Sequence, residues 1–186
     1  MVLQRWLIVY SSNTGNTKKV AEAMYKALAK DESDICSLKE FPDDTELAEY
    51  DVIAVGYWLT RGGPDALTKK FLSRITNQKV VLFQTHGTEV GSEHSVTAFA
   101  RAASCLGNDC DILGTFACQG KINPALLSRR ASIPADDPHA PNARNLKRWE
   151  AASQHPDQKD LDNVVEFIEA VKRKLKLREK YLAKRK

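Results

Sequence analysis

The sequence holds no run of residues long and apolar enough to cross a membrane. Nor does it show CxxC pairs or metal-ligand spacing: Cys36, Cys105, Cys110 and Cys118 stand apart, and His94, His139 and His155 keep no zinc-like interval. The cysteines read as reduced core thiols, which points to a cytoplasmic protein. The apolar start Met1–Trp6 lacks a small-residue cleavage site, so a signal peptide is not expected. There is no Walker GxxxxGK[ST], no GxGxxG and no GxSxG, which argues against nucleotide hydrolysis, a dinucleotide fold and a serine hydrolase. No catalytic residue and no metal ligand stands out.

Charge is unevenly placed. From Lys172 to Lys186 there are nine Lys/Arg against Glu179 alone, a charge of +8 on a chain whose total is +4, so the rest carries −4. A nucleic-acid binder would spread its positive charge over a folded face, and none is expected here. The chain divides into a domain over 1–171 and a basic extension of the last helix over 172–186.

The remaining pattern is an alternation of strands and helices. Gln4–Tyr10, Asp34–Leu38, Asp51–Gly56, Lys79–Thr85 and Asp111–Gln119 read as strands, several apolar throughout as in a parallel sheet. Helices are expected over Asn16–Lys30, from Pro64 as first residue to Ile75, from a Ser92 cap to Leu106, and from Asp157 or Asp160 onward, burying Leu161, Val164, Val165, Ile168, Val171 and Leu175. A weak helix is expected near Thr45–Glu49. Gly120–Pro156 interrupts the order; it contains Pro134, Pro138, Pro141 and Pro156, with short helices suggested at Leu126-Leu127 and Leu146–Ala152. The fold class is α/β: a doubly wound, five-stranded parallel sheet in the order 2-1-3-4-5. Ligands of such sheets sit beyond the carboxyl ends of the strands, which singles out Ser11–Thr17, Tyr57–Gly63 and His86–Gly91.

Ser11-Ser12-Asn13-Thr14-Gly15-Asn16-Thr17 joins a strand to a helix. Its hydroxyls and carboxamides surround one glycine at a helix start, where free N–H groups and the positive dipole end favour an anion. A Ser/Thr-rich helix cap would look similar. The S-x-T-G-x-T order after the first strand resembles the phosphate loop of the flavodoxin family, and the likeness extends over about residues 3–119. A phosphoacceptor receiver domain would need acidic residues where Ser11-Ser12 and Gly56-Tyr57 stand.

The resemblance implies FMN as cofactor and electron transfer between redox partner proteins as activity. It implies that Tyr57, Trp58, Leu59, Thr60, Arg61, Gly62 and Gly63 form a first flavin loop. Trp58 is expected to cover the ring, while Tyr57 either shares that role or caps the core. Gly62-Gly63 either makes a plain turn or supplies a peptide that flips toward N5 of reduced flavin. Thr85, His86, Gly87, Thr88 and Gly91 fall in the second flavin loop. Family members often carry a tyrosine there, and this chain has only His86 between Thr85 and Ser92. Either His86 covers the outer face, or a residue of the Gly120–Pro156 insertion does, with Trp149 the natural candidate, or the face is open; otherwise His86 is an exposed loop histidine.

An electron carrier is therefore ranked ahead of a small FMN-dependent NAD(P)H oxidoreductase, with an accessory subunit of a dedicated reductase as a third reading. The basic tail either runs into solvent or docks an acidic partner or anionic surface.

Overall fold

A computed structural model describes residues 4–28 and 33–184. In chain order the elements are β1 (Trp6–Tyr10), α1 (Asn16–Ala27), β2 (Ser33–Ser37), a 3-10 turn at Leu47–Glu49, β3 (Val52–Thr60), β4 (Gly63–Pro64), α2 (Ala66–Leu72), β5 (Lys79–His86), α3 (Glu93–Ala103), β6 (Asp111–Gln119), α4 (Pro124–Arg130), α5 (Ala143–Ser153) and α6 (Gln158–Ala183). The strands pair in the order β2-β1-β3-β5-β6, all parallel, with the two-residue β4 antiparallel on the end of β3. The expected order 2-1-3-4-5 is this one with β4 left uncounted.

Apolar strands need cover on both faces, and they have it. Trp6, Ile8, Val52, Ala54, Val81 and Phe83 pack beneath α1 and α6. Leu7, Val9, Ile53, Val55, Val80 and Leu82 pack against α2, α3 and Leu47 of the 3-10 turn. Across the sheet Gly56 faces Phe83 in register, and a Cβ on Gly56 would stand 2.1 Å from that ring. The bare backbone there makes room for the largest side chain on the strand's neighbour.

Local boundaries follow from caps. Asp65 is the N-cap of α2, accepting from the amides of Leu67 and Thr68 and from the Thr68 hydroxyl. The expected helix start at Pro64 is displaced because Pro64 pairs with Leu59 in β4. Ser92 caps α3 as expected. Asp157 and Asp160 close a reciprocal capping box at the start of α6. That helix buries Val164, Ile168, Val171 and Leu175, each contributing about 1.5–3 kcal/mol. Val165 turns 100° away from the stripe and is 43% exposed.

The start of the basic extension is anchored. Lys174 donates to the Leu113 carbonyl, Arg178 pairs with Asp111, and Gln4 donates to Glu179. Beyond Leu175 no side chain of the helix is buried, and Leu177, Tyr181 and Leu182 are more than half exposed. Ala29 and Lys30 of the first expected helix, and Arg185 and Lys186 of the tail, lie outside the described residues. No described helix is long and apolar enough to cross a membrane.

Candidate functional site

Three loops meet at the carboxyl edge of the sheet. The first leaves β1 with the Ser11 amide donating to the Gly56 carbonyl, and turns into α1 through Gly15 at φ +85°. Glycine holds that left-handed conformation without strain, and a Cβ there would meet nothing within 4 Å. Gly15 has no side chain with which to cap α1, whereas Asp65, Ser92, Asn123, Asn142 and Asp157 cap α2 to α6. The start of α1 thus presents a positive dipole end and an uncrowded approach.

The polar side chains of this loop divide their work. Thr17 and Thr85 join hydroxyl to hydroxyl at 2.9 Å, fastening the first loop to the end of β5. The Lys18 amide donates to Ser12 Oγ at 3.3 Å. Asn16 Nδ2 donates to Thr14 Oγ1 at 2.8 Å and to the Lys121 carbonyl at 2.9 Å. The Asn16 carboxamide nitrogen therefore shapes the loop rather than offering itself to a ligand. Asn13 and Thr14 are exposed, and Ser11 is buried. Lys18 and Lys19 point into solvent, Lys18 toward Glu22.

The segment Tyr57–Gly63 is a hairpin rather than a free loop. β3 runs on to Thr60, and Arg61 and Gly62, at φ 51° and 78°, make the two-residue turn into β4. Positive φ at both central residues is the type I′ geometry that suits strand twist. Arg101 of α3 reaches over the turn and donates to the carbonyls of Arg61 at 3.3 Å and Gly62 at 2.9 Å. Both carbonyls are thereby held toward α3. A flip of the Gly62-Gly63 peptide leaves Arg101 with the Arg61 carbonyl alone.

Strand alternation separates the two aromatics. Tyr57 is fully buried against α3, edge-on to Phe99, with its hydroxyl at 3.5 Å from the Ala98 carbonyl. Burial pushes its phenol pKa up. Of the two roles expected for Tyr57, its ring takes the one in the core. Trp58, on the other face of the strand, points to the α1/α6 side and is half-buried. Leu59 and Thr60 are half-buried at the strand end.

His86 corrects the expectation of an exposed loop histidine: it is 5% exposed at the end of β5. Its Nδ1 lies 3.0 Å from the Thr88 carbonyl and its Nε2 2.9 Å from Ser95 Oγ. A carbonyl only accepts, so Nδ1 carries the proton and Nε2 accepts from the serine. Burial lowers the histidine pKa and keeps the ring neutral. Gln84, below it on the strand, donates to the Ser95 carbonyl at 2.7 Å and to Ser95 Oγ at 3.1 Å. Gly91, at φ +78°, opens onto free space.

The first residues of the Gly120–Pro156 insertion complete the edge. After β6, the Gly120 amide donates to the His86 carbonyl at 3.0 Å, and Ile122 packs on Gly87. The rule that selected the other loops, position after a strand's carboxyl end, applied equally to this one. Within the insertion Trp149 is 8% exposed, with Arg130 over its ring at 5.6 Å, so that ring is committed to the α4/α5 packing. His155 Nδ1 lies 2.6 Å from Asp160, and with Asp157 the three ligand atoms gather within 4.8 Å. Both carboxylates there serve the α6 cap.

Residues 7–169 match the family described as "Flavodoxin domain". Two curated relatives are called flavodoxin-like domain-containing protein BilS. The one from Clostridioides difficile is 33% identical over 157 residues, covering 83% of this chain and 89% of its own length. That from Clostridium symbiosum is 27% identical over 178 residues, covering 88% and 94%. Among solved structures, a flavodoxin from the domain Archaea aligns at TM-score 0.57 with 19% identity, over 92% of this chain and 99% of that one. Oxidised flavodoxin 1 from Bacillus cereus aligns at TM-score 0.57 with 13% identity, over 91% and 97%. At such identities the structural likeness speaks for the fold.

Proposed function

The chain belongs to the flavodoxin family, whose cofactor is FMN, and from that premise we propose that it carries electrons on bound FMN between redox partner proteins. The observation that carries the proposal is the open, glycine-started N-terminus of α1 at the end of β1. That end is the anion-binding position of a doubly wound sheet, and its neutral hydroxyl and amide donors fit a single phosphate.

In this reading Ser11, Ser12, Asn13, Thr14, Gly15, Asn16 and Thr17 form the phosphate cradle, through backbone amides and the hydroxyls left free by the loop's own bonds. Asn16 and Thr17 act chiefly by fixing it to Lys121 and Thr85. Trp58 and the strand end Leu59–Gly63 flank the flavin on one side. Thr85, His86, Gly87, Thr88 and Gly91 meet its polar edge with backbone groups. Bound FMN supplies the redox chemistry; the protein binds it, orients it and excludes water. The basic overhang is a candidate contact for an acidic redox partner. Electron transfer that keeps its rate and salt response after deletion of 177–186 argues against that contact.

A second reading, a small FMN-dependent NAD(P)H oxidoreductase or the accessory subunit of a reductase, is favoured by the absence of an aromatic in Thr85–Gly91 beyond His86. Stopped-flow mixing of the FMN-loaded protein with NADPH and NADH, beside a dithionite titration, separates carrier from oxidoreductase. A carrier accepts electrons from dithionite and is not reduced rapidly by either nucleotide. Rapid hydride reduction overturns the carrier reading in favour of the oxidoreductase.

A further inference from the structure

We propose that Gly120–Ile122 forms a fourth wall of the cofactor site, with Ile122 as the side chain that packs against the flavin beside Gly87. The inference rests on the FMN reading above and concerns what covers the ring where the second flavin loop has no aromatic side chain of its own.

The segment is sewn to both neighbouring loops. Lys121 offers its carbonyl to Asn16 at 2.9 Å and to the Thr14 hydroxyl at 3.5 Å, both in the phosphate cradle. Gly120 donates its amide to His86 at 3.0 Å. Two glycines make the approach close enough. A Cβ on Gly120 would stand 2.7 Å from Asn16 Nδ2, and one on Gly87 would stand 2.4 Å from Ile122 Cγ1 and 2.6 Å from Cδ1. Any other residue at either place would push the segment away.

Ile122 itself is half-buried yet belongs to neither hydrophobic core cluster. Its apolar surface lies at the carboxyl edge against the bare backbone of Gly87. A flat aromatic ligand held beside Gly87, against Ile122, would bury that surface, and burial of apolar area favours binding. The contact is aliphatic, so it adds packing without the stacking that an aromatic residue would give.

The test uses the full chain stripped of FMN and titrated with FMN by calorimetry and flavin fluorescence. The wild type is compared with Ile122→Ala, Ile122→Val and Ile122→Tyr, and with Leu126→Ala as a control on exposed α4. Ile122→Ala is expected to weaken FMN binding about tenfold and Ile122→Val about threefold, at the cost of one to three methylenes of packing. Ile122→Tyr is expected to shorten the lifetime of bound-flavin fluorescence, because a phenol in contact quenches the excited ring. Leu126→Ala should bind as the wild type does. Circular dichroism of the FMN-free proteins checks folding, and Ile122→Val carries the affinity test if the alanine variant unfolds. Variants at 122 that match the wild type in affinity and lifetime overturn this inference and leave the FMN reading standing. A wild type that takes up no FMN overturns both.

Discussion

Asn16 and Lys121 lie 105 positions apart in sequence and 2.9 Å apart in space, side-chain nitrogen to main-chain oxygen. The same nitrogen also donates to Thr14 at 2.8 Å, so one carboxamide sets the shape of the first loop and ties it to the exit from β6. Asn16→Ala removes both bonds and leaves a partly buried carbonyl short of a donor. A loss of about 1–2 kcal/mol is expected, read as a lower urea midpoint. Faster proteolytic cleavage within 120–156 should accompany it.

Gly56→Ala places a methyl group 2.1 Å from the Phe83 ring, with β-sheet on either side and no direction of retreat. Overpacking of this kind costs about 1–3 kcal/mol. The pair Gly56→Ala with Phe83→Leu should recover part of the loss, since the two changes share one contact and are not additive. Denaturant unfolding of the three variants measures the recovery.

His86 is held neutral by burial, with its folded pKa below the ordinary histidine value. An unfolded histidine takes up a proton near pH 6.5. The unfolded chain therefore binds more protons than the folded one as pH falls through that range. Stability supplied by the neutral ring is complete above about pH 6.5 and declines below it. A thermal midpoint that drops between about pH 6.5 and 5, with a shallower drop in His86→Asn, is the expected result. Asp157, whose pKa is lowered by its bond to the Asp160 amide, acts in a separate window. Its contribution is present above the ordinary carboxylate range and is lost only as pH falls through it and below.

The turn after β3 offers a test of Arg101. Gly62→Ala combines a positive φ with a Cβ 2.3 Å from Arg101 Nη1, and should cost about 1–3 kcal/mol. Arg101→Met removes the donor to the Arg61 and Gly62 carbonyls and should cost about 1 kcal/mol, because the guanidinium is exposed. In the double variant the contact with the guanidinium disappears and only the 3.3 Å approach to His94 Cε1 stays, so its cost falls below the sum. Calorimetric midpoints of the three proteins give the comparison.

Much of this was readable beforehand. β6 runs over Asp111–Gln119 as expected, Ser92 caps α3, and Asp157 opens α6, because period, cap chemistry and strand length are local properties. Tyr57 and His86 were harder to place. Strands buried on both faces are apolar throughout, so composition carries no alternation from which to tell the faces apart. Counting by twos from Val55 and Leu82 puts both rings on the α2/α3 side. β4 depends on Arg61 entering the left-handed region, where a non-glycine residue gives little sign in the sequence. The place of Gly120–Ile122 was signalled only by its position after a strand's carboxyl end; its partners Thr14, Asn16, His86 and Gly87 lie far away in sequence, where no local pattern encodes them.

The direction of α6 has a spatial corollary. It begins at Gln158, just after the insertion that leaves the loop edge, and meets Gln4 and Asp111 near its far end, where β1 and β6 begin. The residues of α6 that follow these contacts, 180–183, reach about 6 Å further. The basic overhang and the three loops thus occupy opposite poles of the molecule, a strand's length or more apart. Whatever grips the overhang holds the protein by its back, with the loop edge turned outward and free to meet a second molecule.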